Sequence, residues 1–478
     1  MIPVLVAIHI ASVAGLAIYG LLGFFTLGLF MRYRHDTRPL PALDAAAWPT
    51  VTVQLPIYNE REVVERLITA AAALDYPAAQ LQIQVLDDST DDTTDLAAEC
   101  VARYRARGFD MIHLHRDHRH GFKAGALAAA LSSARGEFVA IFDADFAPAP
   151  DFLRRTVPHF LDDPRLGAVQ ARWGHLNVTH SSLTGAQAMA LDKHFAVEQL
   201  VRHRAGFFPK FNGSAGVWRR QCIDAAGGWQ SDTVCEDLCL STRAALTGWR
   251  FHFADDVVAP AELPTTILAY KNQQARWAMG ATQCLTKYAA PIWRAPGHSL
   301  PSRLYALLSM SAYATHLLLL LLLLVQLPLV LSGYQLPSWL TIFSLLGLGQ
   351  PILFVLAQQV LYRDWLYRLA SLPALLLVAV GTAPSNAAAV LSALSHRAFT
   401  FVRTPKGAGQ SYRLKPGRIV WLEGGFALYS AAGLVVCILT GNSGSAVLLT
   451  TCLLGFGYVV LLTCRETWRS GRRQRNFS

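Results

Sequence analysis

Two aspartates separated by one residue, Asp143 and Asp145, are the first feature of the sequence that could perform chemistry. They follow an apolar run, Phe138 to Phe142, of the kind found in strands buried inside parallel sheets. In open α/β sheets, ligands bind at the edge where such strands end. Side chains two apart in an extended segment point the same way, so we expect both carboxylates to face one cation.

A hard divalent cation held by one or two carboxylates takes its other ligands from water and substrate phosphates. The pair therefore predicts a Mg²⁺ or Mn²⁺ site for a diphosphate. The alternative interpretation is a solvated, Asp-rich turn, because an isolated motif of this length also occurs by chance.

The elements that must position these aspartates alternate between strand and helix from residue 51 to residue 169. We predict strands at 51–55, 82–86, 111–115 and 138–143, with helices at 60–74, 90–105 and 121–134. This alternation indicates right-handed βαβ units and a mostly parallel sheet. Polar clusters follow three of the strands and should share one edge: Tyr58, Asn59 and Glu60; Asp87 and Asp88; Asp143 and Asp145.

The composition indicates a membrane protein with a polar domain. Of the 478 residues, 53% are hydrophobic, and they are concentrated in blocks. The formal net charge of +10 is located mainly beside these blocks, so it predicts membrane topology and lipid contact, not nucleic-acid binding. The basic flanks favour an inner-membrane protein whose polar domain faces the cytosol.

The hydrophobic blocks divide the chain into five parts. Residues 1–38 are predicted to be a transmembrane anchor, 49–300 the polar domain, 301–364 two transmembrane helices, and 419–478 two more with a basic cytosolic tail. The spans themselves are predicted at 3–31, 305–331, 336–361, 419–440 and 445–464. Residues 365–418 are predicted to hold interfacial helices and a polar loop, because Pro373, Gly381, Pro384 and Asn386 interrupt the apolar block and basic residues flank it. This arrangement has five crossings.

Three further motifs could contact an anionic ligand or its acceptor. Lys123 lies at a predicted helix start among small residues, where backbone N–H groups and the helix dipole bind anions. The loop around Gly213 and Ser214 would allow close backbone approach to a ligand. Gln273 and Arg276 are three apart on a predicted helix, so they share one face.

Taken together, the motifs resemble the inverting family 2 glycosyltransferases of the cellulose synthase-like superfamily. The matching motifs, in chain order, are Asp87-Asp88, Asp143-Ala-Asp145, Glu236-Asp237, Gln273 to Trp277, and Phe401 to Lys406. The resemblance implies an α/β nucleotide-sugar transferase domain of GT-A type, inserted between transmembrane helices. It also implies that residues 401–406 form a gating loop.

The resemblance, together with residue chemistry, assigns a role to each candidate. Asp237, with Glu236 beside it, is expected to be the general base that deprotonates the acceptor hydroxyl. Asp143 and Asp145 are expected to bind the metal, and Trp277, Gly213 and Ser214 the acceptor. The donor is expected to contact Pro56, Tyr58, Glu60, Asp87, Asp88, Lys123, Asp143, Gln273, Arg276, Thr404 and Lys406. Cys235 departs from the Thr or Val usual before Glu-Asp, where we expect only packing.

Each motif also has a simpler interpretation. The acidic pairs at 87–88 and 236–237 could be helix N-terminal charge clusters. Arg276 and Trp277 could be an interfacial anchor, and residues 401–406 a plain basic loop.

We therefore expect a processive β-glycosyltransferase that polymerises hexose from GDP-mannose or UDP-glucose and translocates the product. The expected partners are the nucleotide-sugar donor, the growing polysaccharide and the lipid bilayer. The short N-terminus and Arg-rich tail resemble the mannan and glucomannan branch. One alternative is a single transfer to a lipid acceptor, as in ceramide glucosyltransferases; another is a non-catalytic membrane scaffold.

Overall fold

A mixed β-sheet is the centre of the polar domain in the computed structural model, which describes residues 2–36, 48–334, 341–395 and 417–475. Its strands are β1 (Val51–Ile57), β2 (Leu81–Asp87), β3 (Met111–His115), β4 (Phe138–Ile141), β5 (Leu166–His175), β6 (Gly216–Arg219) and β7 (Arg250–Ala261). The order is β3-β2-β1-β4-β6-β5-β7. Only β6 runs antiparallel to its neighbours, which confirms the predicted α/β class with a mostly parallel sheet.

Buried polar side chains align the two central strands. Thr52 Oγ1 in β1 donates a hydrogen bond to Gln82 Oε1 in β2 at 2.9 Å. Buried polar groups need such partners, so this bond favours one register of the two strands. In that register Ile57 lies opposite Asp87, and both strands end at the same edge.

The helices cover the sheet and extend beyond the polar domain. In chain order they are α1 (Ile2–Tyr33), α2 (Val64–Ala72), α3 (Thr93–Arg105), α4 (Phe122–Ala130), α5 (Phe152–Thr156), α6 (Ser182–Lys193), α7 (Leu200–Arg204), α8 (Arg220–Ala225), α9 (Glu236–Leu246), α10 (Ile267–Arg294), α11 (Leu300–Met310), α12 (Ala314–Leu331), α13 (Thr341–Leu346), α14 (Gly349–Leu361), α15 (Trp365–Arg368), α16 (Leu372–Gly381), α17 (Ala383–Leu394), α18 (Ile419–Thr440) and α19 (Ser443–Arg475).

The four predicted strands are confirmed as β1 to β4, and the three predicted helices as the shorter α2, α3 and α4. The expectation that Asp143 and Asp145 lie in an extended segment is wrong. Strand β4 ends at Ile141, and the N–H of Phe146 donates to Asp143 O at 3.0 Å, which closes a turn. The turn buries Phe146, whose ring packs against Trp173 with centroids 5.2 Å apart.

Four helices in the described part of the chain are long and apolar enough to cross a membrane: α1, α12, α18 and the Gly444–Arg469 portion of α19. The chain thus has the helices of a membrane protein. Three of the four coincide with the predicted spans at 3–31, 419–440 and 445–464.

The remaining apolar blocks are divided differently from the prediction. The span predicted at 305–331 is split between α11 and α12, and the block at 336–361 contains α13 and the 13-residue α14. The block at 365–394 bends by 45° between Gly381 and Ala383, so it is either a broken span or a re-entrant pair. Its interfacial placement, and the number of crossings, stay predictions.

Candidate active site

The loops that follow β1 and β2 are joined at the carboxyl edge of the sheet. Asn59 has a φ of +53°, and its N–H donates to Ser89 Oγ at 2.8 Å. The N–H of Thr90 donates back to Asn59 Oδ1 at 2.8 Å. Because of these bonds, the polar clusters after the two strands are neighbours, as the parallel pairing predicts.

The Asp87 carboxylate is fully buried and is held by the sheet itself. It accepts the N–H of Ser89 at 2.8 Å, and its other oxygen lies 3.0 Å from His113 Nε2 and 3.1 Å from His115 Nδ1. Burial alone would raise the pKa of Asp87, but the hydrogen bonds from His113 and Ser89 outweigh burial and lower the pKa well below its usual range. These contacts give Asp87 the environment of a structural residue.

Asp88 has a different partner, the guanidinium of Arg116. Arg116 Nε lies 2.7 Å from Asp88 Oδ1 and Nη2 lies 2.5 Å from Oδ2, a two-point contact of the kind that fixes both groups. Arg116 also donates to the backbone oxygens of His120 and Phe122, at 3.2 and 3.1 Å. It therefore connects the end of β2 to the start of α4.

The other candidates after β1 lie at the same edge. Pro56 and Tyr58 are half-buried, Glu60 is buried, and the guanidinium carbon of Arg119 lies 3.3 Å from the centroid of the Tyr58 ring. Arg116 and Arg119 were not among the residues predicted from the sequence. The sequence signal that could have identified them is the basic run that contains them, close to the acidic residues at the strand ends.

Lys123 is the centre of the candidate site. Its ammonium Nζ lies 2.5 Å from Asp143 Oδ1 and 3.9 Å from Glu236 Oε1, and donates to the carbonyl oxygen of Gly213 at 2.9 Å. Burial would lower the pKa of Lys123, but the nearby carboxylates outweigh it, so the pKa is raised. The lysine thus joins residues from α4, from the turn after β4 and from α9.

The small-residue loop before β6 approaches both Asp143 and Asp237. Ser214 Oγ accepts the N–H of Asp143 at 2.9 Å. Gly213 has a φ of +82°, and a Cβ at this position would lie 3.0 Å from Asp237 Oδ2. Only glycine permits this conformation without strain and leaves room for the carboxylate.

Glu236 and Asp237 begin α9, so their carboxylates lie at a helix N-terminus. Burial raises the pKa of Glu236 to about 7 and also raises the pKa of Asp237, although the positive charge of Lys123 opposes both shifts. The charge of Arg276 also acts against both shifts, which places this residue of α10 within electrostatic range of the acidic pair.

Gln273, Arg276 and Trp277 all lie on α10 and are half-buried. Next to them on this helix, Gly280 packs so closely on Cys235 that an added Cβ would lie 2.2 Å from the sulfur. The departure at Cys235 therefore has a packing role, as expected. The structure brings α10 next to the acidic pair of α9.

Residues 49–280 match the family described as "Glycosyltransferase like family 2". Similar curated proteins include glucomannan 4-beta-mannosyltransferase 7 of Arabidopsis thaliana, 42% identical over 269 residues (55% of this chain and 48% of the relative). Glucomannan 4-beta-mannosyltransferase 1 of Oryza sativa subsp. japonica is 43% identical over 270 residues (55% and 52%). Residues 49–280 form a family 2-like glycosyltransferase domain. This match confirms the resemblance found in the motifs, and the chain spans about half the length of these relatives.

A solved structure supports the fold of this glycosyltransferase domain and its flanks. The mannosyltransferase PcManGT from Pyrobaculum calidifontis, in complex with GDP-Man and Mn²⁺, superposes with a TM-score of 0.56 at 25% identity. The superposition covers 82% of this chain and 100% of that one.

The donor set of the glycosyltransferase domain fits a hard divalent cation. Asp143, half-exposed, and Asp145, buried, supply carboxylate oxygens, the atom type that Mg²⁺ and Mn²⁺ prefer. Among the described residues, no group of three or more His, Cys, Asp or Glu could hold a metal. Such a cation would thus need further ligands from water and from the diphosphate.

Two predicted donor contacts, Thr404 and Lys406, belong to the predicted gating loop that begins at Phe401. This loop lies outside the residues that the structure describes. Its role stays a prediction.

Proposed function

We propose that the chain is a membrane-embedded, processive β-glycosyltransferase that adds hexose from GDP-mannose to the end of a growing β-glycan. The observation that carries this proposal is the convergence on Lys123 of Asp143, the proposed metal carboxylate, and Glu236 of the α9 acidic pair. The mannosyltransferase activity of the similar curated proteins and the GDP-Man in the superposed structure support mannose as the sugar. UDP-glucose is the second candidate donor.

In this proposal Asp143 and Asp145 would hold Mg²⁺ or Mn²⁺, which would offset charge on the leaving diphosphate when bound. Lys123, already beside Asp143, would contribute a second positive charge to the same phosphates. Arg276 would add a third positive charge from α10, with a guanidinium suited to two-point phosphate contacts.

Asp237 is proposed to accept the proton of the attacking acceptor hydroxyl. Inversion needs one base on the face opposite the leaving group, and Asp237 lies against the Gly213 backbone, on the α9 side of Lys123. Its raised pKa makes it a stronger base than an exposed aspartate once it is ionised. Trp277 would stack on the terminal sugar of the acceptor.

The placement of the protein is also proposed: a multi-pass protein of the inner (plasma) membrane with its glycosyltransferase domain in the cytosol. The apolar helices and their basic flanks support this orientation.

The test is to supply purified protein in lipid with GDP-mannose or UDP-glucose, and to measure product size and linkage by mass spectrometry. A β-linked polymer made from GDP-mannose supports the proposal. A product with one hexose on lipid would establish the single-transfer alternative, and absence of both transfer and donor hydrolysis would establish the scaffold.

A further inference from the structure

The first two turns of α10 are connected to the membrane helices by polar contacts from three directions. Each contact joins one residue of α10 to a residue on, or directly before, an apolar helix. They are Lys271 Nζ to both carboxylate oxygens of Glu423 on α18, at 2.8 Å each; the N–H of Ile267 to Glu466 Oε1 on α19, at 2.7 Å; and the hydroxyl of Tyr313, before α12, to Gln274 Oε1, at 3.0 Å.

The Lys271–Glu423 ion pair is almost completely buried. The side chains are 4% and 0% exposed, respectively. Taking two charges out of water costs about as much as their attraction returns, so such a pair contributes little stability compared with an apolar replacement. The pair instead fixes the position of α10 relative to α18. If the two helices separated, each charge would stay buried without its partner, which is strongly unfavourable. A buried acid on an apolar helix is accordingly a functional candidate.

Glu466 adds a second restraint at the same end of α10. The N–H of Ile267 is one of the first N–H groups of the helix, which have no partner inside the helix itself. A carboxylate is favoured there by the helix dipole as well as by the hydrogen bond. Since α18 and α19 each supply an acid, the position of α10 along its own axis is fixed relative to both helices.

The first two turns of α10 are followed directly by residues of the candidate site. Trp277 follows Lys271 by six residues, a rise of about 9 Å at ~1.5 Å per residue. Beyond Trp277, Gly280 packs on Cys235, the residue before the acidic pair. The helix α10 is therefore fixed to membrane helices at its start and to the α9 segment near its middle, with Trp277 between the two attachments.

We propose that Lys271 and Glu423 are a positioning pair. The pair fixes the position of Trp277 along the α10 axis relative to Asp237, and so determines where the end of the acceptor meets the base. This inference depends on the proposed function, in which Trp277 holds the acceptor. In the part of the chain that the structure describes, the ion pair of Lys271 and Glu423 is separate from the ion pairs of Lys123 with Asp143 and Glu236. Loss of the pair should thus impair use of the acceptor more than binding of the donor, because among the described donor contacts only Gln273 and Arg276 lie on α10.

The experiment compares Glu423→Gln and Lys271→Met with the charge-reversed double variant Lys271→Glu/Glu423→Lys, all as full-length protein in lipid. Lys287→Met is the matched control, because Lys287 lies on the same helix and pairs with the exposed Asp232. The readouts are the Kd for GDP-mannose with Mn²⁺, the KM for a β-manno-oligosaccharide acceptor, the ratio of sugar transferred to donor hydrolysed, and product length. Tyr313→Phe, which removes one hydroxyl, is a milder variant in case the ion-pair variants do not fold.

We expect each single variant to raise the acceptor KM about tenfold or more and to shorten the product, with a clearly smaller rise in the donor Kd. Tyr313→Phe should shift the same quantities less, and the reversed pair should recover much of the loss. Unchanged acceptor KM and product length in the variants that fold, or parallel loss of donor binding and transfer, would overturn the inference. A wild type that makes no polymer would instead refute the proposed function.

Discussion

Replacing Asp237 by asparagine should abolish polymer synthesis and leave donor binding almost intact. The change keeps the size of the side chain beside Gly213 but removes the oxygen that accepts the proton. General bases contribute roughly 10²–10⁴-fold to a rate, which corresponds to about 2.7–5.4 kcal/mol of transition-state free energy. Donor binding should change little, because the donor phosphates are expected on the Asp143 side of Lys123.

The assay measures hexose incorporation and, separately, equilibrium binding of GDP-mannose. Asp224→Asn, an exposed change on α8, is the control. In wild type, burial raises the pKa of Asp237, so the base is protonated at a higher pH than an exposed aspartate and incorporation should fall as pH falls through that pKa. Near-normal turnover of Asp237→Asn, or a loss confined to donor affinity, would refute the assignment of the base.

Four further substitutions and removal of the metal test the remaining parts of the site. Asp143→Ala and Asp145→Ala should weaken donor binding. EDTA should stop polymer synthesis by the wild type until Mg²⁺ or Mn²⁺ is added back. Activity that survives exhaustive chelation would exclude a metal role for this pair. Trp277→Ala should cut polymer formation severely while nucleotide still binds, since stacking on a sugar is worth ~1 kcal/mol or more beyond its buried area. Product size and nucleotide release, measured in parallel, check this. Unchanged polymer length would count against an acceptor role for Trp277. Gly213→Ala should lower the rate of hexose transfer, because a Cβ would lie 3.0 Å from Asp237 Oδ2 and the φ of +82° is unfavourable for alanine. An unchanged thermal unfolding temperature would distinguish this local effect from misfolding.

The fold was predictable because its signals are local. Strands β1 to β4 are short apolar runs, polar clusters follow β1, β2 and β4, and parallel pairing then requires these clusters to share an edge. The local conformation after β4 was not predictable from alternation, because burial of Phe146 pulls Asp143 into a turn. The different environments of Asp87 and Asp88 also needed the structure. They depend on His113, His115 and Arg116, which lie on and just after a strand distant in sequence.

Two sets of residues, assembled by different means, form the candidate site. The donor side consists of loops after adjacent strands, and its geometry follows from the sheet. The acceptor side consists of α9, which packs against the sheet through Leu240 and Ala244, and of α10, which is attached to α18 and α19 through Glu423 and Glu466 and also carries the proposed donor contact Arg276. Because Lys123 contacts both Asp143 and Glu236, the two sides meet at one ammonium group. Because Trp277 lies on the helix that Glu423 and Glu466 attach to α18 and α19, residues in apolar helices can alter chain extension more than donor binding.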